Sequence, residues 1–154
     1  MSVTARLEEL GIELPPPPKP GGVYSPVVIV GNLAYVSGHG PLKSDKTMIT
    51  GRVGADLDVQ QGYEAARQTG LAILATLQRE LGSLDRIVRV VKLLGLVRCT
   101  EDFGQQPAVI NGCSELFREL WGEPNGMAAR SALGSSALPG EIAVEIEGIF
   151  EIRP

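Results

Sequence analysis

Apolar positions recur along this chain in two rhythms, one of strands and one of helices. Near the end, Ile142, Val144, Ile146, Phe150 and Ile152 alternate with Ala143, Glu145, Glu147, Ile149 and Glu151, the period of a strand with one face in a core and the other turned to solvent or a cleft. Residues 25–38 read as two β-rich runs divided by Gly31-Asn32, a hairpin signal, and a further short strand is expected around Met48 to Thr50. Residues 86–99 are apolar on nearly both faces, which a strand shows when helices cover one side and something else covers the other, in a small protein another subunit. Between these runs the period changes. Val59, Tyr63, Ala66, Gly70, Ile73, Leu77 and Leu81 recur at three- and four-residue steps, predicting a long helix capped by Asp56 or Asp58 and ended by Gly82. A second helix is predicted from about Gln106 to Leu120, with Val109, Ile110, Cys113, Leu116, Phe117 and Leu120 inward, stopped by Gly122 and Pro124. The order is ββ(β)αβαββ, and two helices backing one mixed β-sheet define an α+β sandwich.

The first residues follow a different plan. Residues 3–11 form a short amphipathic pattern with Val3, Leu7 and Leu10 on one stripe and Gly11 as its stop. The run Pro15-Pro16-Pro17-Pro18-Lys19-Pro20 must be extended, since proline fixes φ and removes a donor. A rigid arm laid across the domain or a neighbouring subunit accounts for it better than a PxxP ligand for a partner domain. The chain therefore divides into a helix and proline-rich arm over 1–20 and the main domain over 21–154.

Composition narrows the function classes. At 154 residues with a formal net charge of −4, the chain lacks the clustered Lys and Arg that grip a phosphate backbone, so nucleic acid is not the expected partner. No apolar run approaches the roughly 18 residues of a membrane span, and a cytoplasmic location is the default expectation. Cys99 and Cys113 read as buried free thiols. One histidine and scattered acids make no legible metal site, and no motif calls for a cofactor.

Candidate chemistry gathers toward the end of the chain. Arg130 shares its strand face with Ala128, Ala132, Gly134 and Ser136, small residues that leave room for a planar anion beside a guanidinium able to bond it bidentately. A structural ion pair is the plain alternative. Glu145 could handle water if partial burial lifts its pKa; a solvated strand carboxylate would look the same, and Glu147 on that face is read as structural. His39, the only histidine, lies two residues from Ser37, but side chains two apart on a strand stand parallel, and no Gly-x-Ser-x-Gly elbow is present, so a serine hydrolase is not expected. A proton carrier at a cleft mouth and an exposed loop histidine both remain open for His39.

Gly22-Val23-Tyr24-Ser25-Pro26, Tyr35-Val36-Ser37-Gly38, Ala129-Arg130-Ser131, and Leu138-Pro139 followed by Val144-Glu145-Ile146-Glu147 together resemble the RidA (YjgF) family of reactive-intermediate deaminases, over about residues 22–152. The resemblance implies a chorismate-mutase-like α+β fold assembled as a homotrimer, with ligand clefts at subunit interfaces. It implies hydrolysis of 2-imino acids or their enamine tautomers to 2-keto acids and ammonia. Carried over by position, Arg130 would hold the substrate carboxylate, Glu145 would orient or activate water, and Tyr24 and Ser37 would line the cleft. Asn111, where the family often has an asparagine in its second helix, and His39 are further substrate-binding candidates. The chain departs from the common pattern at Ala132, where many members have cysteine, at His39, where a glutamine-type residue is frequent, and in its amino-terminal helix and proline arm, which read as an extension marking a divergent branch. The leading expectation is a homotrimer binding a small carboxylate metabolite and hydrolysing imines or enamines. Its rival is a non-catalytic sensor, or a modulator of a partner enzyme, on the same fold.

Overall fold

Ser2 opens the first helix, α1 (Val3–Glu9), by accepting the Ala5 N–H at 3.1 Å, and α1 buries Val3 and Leu7 in the main hydrophobic core. In this computed structural model, which describes residues 1–154, the proline arm that follows lies across the same domain: Pro15 is buried, Ile12 and Leu14 pack on the core, and the Pro18 carbonyl accepts from Arg79 at 3.3 Å.

β1 (Val27–Val30) and β2 (Leu33–His39) form the expected hairpin, with Gly31 at φ 61° in its two-residue turn, a conformation glycine reaches without the steric cost of a Cβ. No regular strand forms at residues 48–50. Only isolated bridges are made there, Leu42 to Met48 and Thr50 to Ile142, because the turn joining Lys43 to Thr47 and Gly51 at φ 128° bend the chain on either side. The long helix α2 (Val59–Leu81) is capped by Asp58, whose carboxylate accepts from Gln61 N–H while the Gln61 side chain accepts from Asp58 N–H. This reciprocal pair satisfies two donors that the first turn would otherwise leave open. β3 (Ile87–Arg98), α3 (Gln106–Trp121), β4 (Ala129–Ser135) and β5 (Val144–Ile152) complete the fold.

The five strands lie in the order β1-β2-β5-β3-β4, with β3 and β4 parallel and the other pairs antiparallel. α2 and α3 cover one face, so that Val90, Leu93, Val97, Val144, Ile146 and Phe150 are buried beneath them. The helices approach so closely that a Cβ at Gly112 would stand 2.0 Å from the Tyr63 carbonyl oxygen; only glycine fits that crossing. The opposite face carries Leu94, Leu96, Glu145, Glu147 and Ile149 and stays partly open. The apolar character of β3 on both faces is therefore real, and no element of the same chain covers its second face.

Candidate active site

The open face owes its shape to an irregularity in β2. Val36 pairs with Gly148 and His39 with Ile146, three residues against two, so a bulge falls at Ser37 and Gly38 and breaks the alternation of faces. Ser37 is tied back to the first motif: its hydroxyl donates to the Ser25 carbonyl at 2.6 Å and its N–H to the Pro26 carbonyl at 3.0 Å. Gly38 lies under Glu145, where a Cβ would sit 3.1 Å from the carboxyl carbon and 3.3 Å from Oε2. The absent side chain is what lets the Glu145 carboxylate fold down into the bulge.

Glu145 and Tyr24 stand at the junction of two hollows. One, of about 340 Å³, runs beneath the proline arm past Gly38, Met48 and Ile142. The other, of about 450 Å³, opens toward Ser37 and Glu147. Burial raises the pKa of Glu145, and the neighbouring Glu147 carboxylate raises it further, which biases Glu145 toward exchanging a proton closer to neutral pH than an ordinary carboxylate. The Tyr24 hydroxyl accepts the Gly21 N–H at 3.1 Å and keeps its own proton to donate.

His39 faces the other way. It is buried, not in an exposed loop: Nδ1–H donates to the Ser37 carbonyl at 2.6 Å and Nε2 accepts from the Thr76 hydroxyl at 2.7 Å. Burial lowers its pKa and the Arg79 charge adds to this, against the opposing pull of the Ser37 carbonyl, so the neutral ring protonated on Nδ1 satisfies every partner. Ser37 and His39 do not share a face, since the bulge rotates one away from the other. With both nitrogens engaged, the ring has only carbon to offer the hollow that it borders. Thr76, which sequence reasoning passed over, is a fully buried hydroxyl within the apolar stripe of α2; a polar residue on a core face is the signal that could have found it.

Arg130 belongs to a second cluster. Its register partner on β3 is Leu93, whereas Glu145 pairs with Leu96. The odd offset puts Arg130 on the helix side of the sheet and Glu145 on the open side, roughly 14 Å apart between Cα atoms by strand spacing. At the sheet edge, Arg130 donates to Ser114 Oγ at 3.0 Å and to the Pro107 carbonyl at 3.3 Å. Pro107, Asn111 and Ser114 share one stripe of α3, so Asn111 stands between the two residues that hold the guanidinium. No carboxylate lies within 4.0 Å of Arg130; the structural ion pair is not formed. The predicted residues thus form two groups within one chain: Tyr24, Ser37 and Glu145 on the open face, Asn111 and Arg130 at the β4 edge.

A family model described as "YjgF/chorismate_mutase-like, putative endoribonuclease" matches residues 4–142, and the chain belongs to this YjgF/RidA family. Its sheet and helices are those of the chorismate-mutase-like α+β fold. Over 151 residues the chain is 39% identical to protein TCP17 of Trypanosoma cruzi, covering 98% of this chain and 94% of that one. It is 31% identical over 143 residues to a 2-iminobutanoate/2-iminopropanoate deaminase of Dermatophagoides farinae, covering 92% and 95%. The crystal structure of Atu1372, a protein of unknown function from Agrobacterium tumefaciens, superimposes with a TM-score of 0.88 at 42% identity, covering 99% of this chain and 94% of that one. The family match begins within α1, so nearly all of the amino-terminal helix and the arm fall inside the region that the family model matches.

Proposed function

We propose that the protein is an imine or enamine deaminase that hydrolyses 2-imino acids to 2-keto acids and ammonia in clefts between the subunits of a homotrimer. The observation that carries this reading is the partition of the site. A carboxylate grip with open space around it stands at one edge of the sheet, a partly buried acid with a raised pKa stands on the opposite face, and one copy cannot bring both to a small ligand. A second copy placing its Arg130 edge against the open face of the first would join them, and would cover Leu94, Leu96 and Ile149 in the same step.

In such a cleft Arg130, with Asn111 beside it, binds the substrate carboxylate, and Ser37, Tyr24 and the Gly38 backbone line the reacting end. Glu145 removes a proton from water as it attacks the imine carbon and passes that proton to the imine nitrogen, which leaves the carboxylate free again and gives the carbinolamine. Collapse of the carbinolamine then forms C=O as the C–N bond breaks, with Glu145 taking the hydroxyl proton and delivering it to the leaving nitrogen, which departs as ammonia. Ala132 removes a thiol found in many relatives, and none of these steps uses one. The D. farinae relative, named as a 2-iminobutanoate/2-iminopropanoate deaminase, supports the same reaction class. Imines produced in situ by an amino-acid oxidase, with semicarbazide as competing trap, test the reading: the protein is expected to raise the rate of imine loss above the spontaneous value. A rate that stays at the spontaneous value for every side chain would transfer the site to the rival reading, a sensor that binds carboxylate metabolites without turning them over.

A further inference from the structure

The hollow beneath the proline arm differs in character from the rest of the site. The region around Ser37, Tyr24, Glu145 and Glu147 is polar and open. Beneath the arm the walls become Pro18, Pro20, Met48, Pro139 and Ile142, in a hollow of about 340 Å³ that also takes in Tyr24, Gly38 and Glu145. Prolines contribute no N–H. His39 borders this recess with both ring nitrogens already bonded inward, and the exposed Lys19 lines its outer side. The lining is mostly carbon, and its polar points are Glu145, the Tyr24 hydroxyl, Lys19 and the backbone groups of Gly21, Gly38, Gly40 and Gly140.

The arm is fixed where it forms this wall. Its start is held by buried Pro15 and by α1, whose Val3 and Leu7 are core residues. Its middle is held by the Arg79 guanidinium on the Pro18 carbonyl, and its end by the Gly21 N–H on the Tyr24 hydroxyl. A wall ordered before the ligand arrives imposes no further ordering cost on binding.

Resting on the deaminase reading above, we infer that this recess receives the side chain of the substrate, and that the preferred substrates are 2-imino acids with long apolar side chains. With the carboxylate on Arg130 and the imine carbon at Glu145, the remaining substituent on that carbon points past Glu145 into the recess. A methyl group would leave most of the space unfilled, whereas an unbranched chain of four carbons or a benzyl group displaces its water and covers the proline, Met48 and Ile142 surfaces. An acidic side chain would bring a second carboxylate past Glu145 into a mostly carbon-lined space.

The test is a chain-length series of imines generated in situ from alanine, norvaline, norleucine, phenylalanine and glutamate, read as kcat/KM. Each added methylene is expected to raise kcat/KM about fourfold, the equivalent of about 0.8 kcal/mol per buried CH2, with the glutamate-derived imine at the bottom. Met48→Ala, and separately Pro18→Gly with Pro20→Gly in one chain, should lower the norleucine-to-alanine ratio by about fourfold or more, with melting curves confirming that each variant is folded. A flat or falling series, a preference for the glutamate-derived imine, or an unchanged ratio in both variants would overturn the inference. If no imine is turned over at all, the deaminase reading fails by itself, and the same series is read as binding of the corresponding 2-keto acids by calorimetry. Tighter binding of the longer chains then upholds the recess, and equal or absent binding overturns it.

Discussion

The two halves of the proposed site are built on opposite principles. On the open face, backbone does the shaping: a bulge in β2 and the missing side chain of Gly38 make a seat for Glu145, and the carboxylate is left with a raised pKa and no cation beside it. At the β4 edge, side chains do the shaping. Arg130 is held by a hydroxyl and a carbonyl of α3, neutral acceptors that fix the guanidinium while leaving its charge uncompensated. One half holds an acid where it can change protonation state, and the other holds a cation that never does. In the proposed cleft, chemistry and grip are thereby separated, and within one copy the sheet keeps the two charges from pairing.

The sharpest way to break this contrast is to remove the proton acceptor alone. Glu145→Gln keeps the shape of the side chain but cannot take a proton, so the rate of imine hydrolysis should fall by roughly 10²- to 10⁴-fold while 2-keto acid binding measured by calorimetry stays close to wild type. Equal losses in rate and affinity would make Glu145 part of the grip. Next in size is Arg130→Lys. An ammonium cannot reproduce the guanidinium fork, and the loss of one charge-assisted bond should weaken 2-keto acid binding by about 1.5–3 kcal/mol without unfolding the chain; unchanged affinity would remove Arg130 as the anchor.

Mixing those two variants sharpens the comparison further. If each cleft takes Arg130 from one copy and Glu145 from the next, randomly reassembled trimers regain about one quarter of wild-type sites, whereas a site contained within one chain regains none. Light scattering on the same samples reports the assembly, and a monodisperse monomer at micromolar concentration would dissolve the shared cleft.

The smallest effect concerns pH. The folded state holds His39 below its ordinary pKa of 6.5, chiefly by burial, so the unfolded chain takes up a proton first as pH falls. The contribution of His39 to stability is complete above about pH 6.5, declines beneath it, and levels off once the lowered folded value is passed. Glu145 runs the other way: its pKa is raised on folding, so it favours the folded state most at acid pH and loses that contribution as pH rises through the raised value. The difference in melting temperature between wild type and His39→Gln isolates the histidine, and should narrow as pH drops below 6.5. A difference independent of pH would place His39 outside the titrating groups.

Much of this molecule could be read directly from its residues. Helix stripes, the Asp58 cap and the Gly31 turn are local devices, set by spacing within a few positions, and the structure forms them where the periodicity places them. The alternation around Glu145 correctly puts it opposite Val144 and Ile146. The family is legible too: the motifs around Ser37-Gly38, Arg130 and Leu138-Pro139 point to it, and the family model matches residues 4–142. Other features were beyond local reading. The strand expected at residues 48–50 reduces to bridges, because its neighbours bend it. His39 goes inward to Thr76, although its sequence neighbourhood reads equally well as a surface loop, because a bulge is a mismatch between two strands and cannot be counted along one. Above all, whether Arg130 and Glu145 meet depends on strand order and on a three-residue offset along β3. Periodicity assigns a residue to a face of its own strand; only the pairing of strands distant in sequence decides which faces coincide, and here it places the two charges on opposite sides of one sheet.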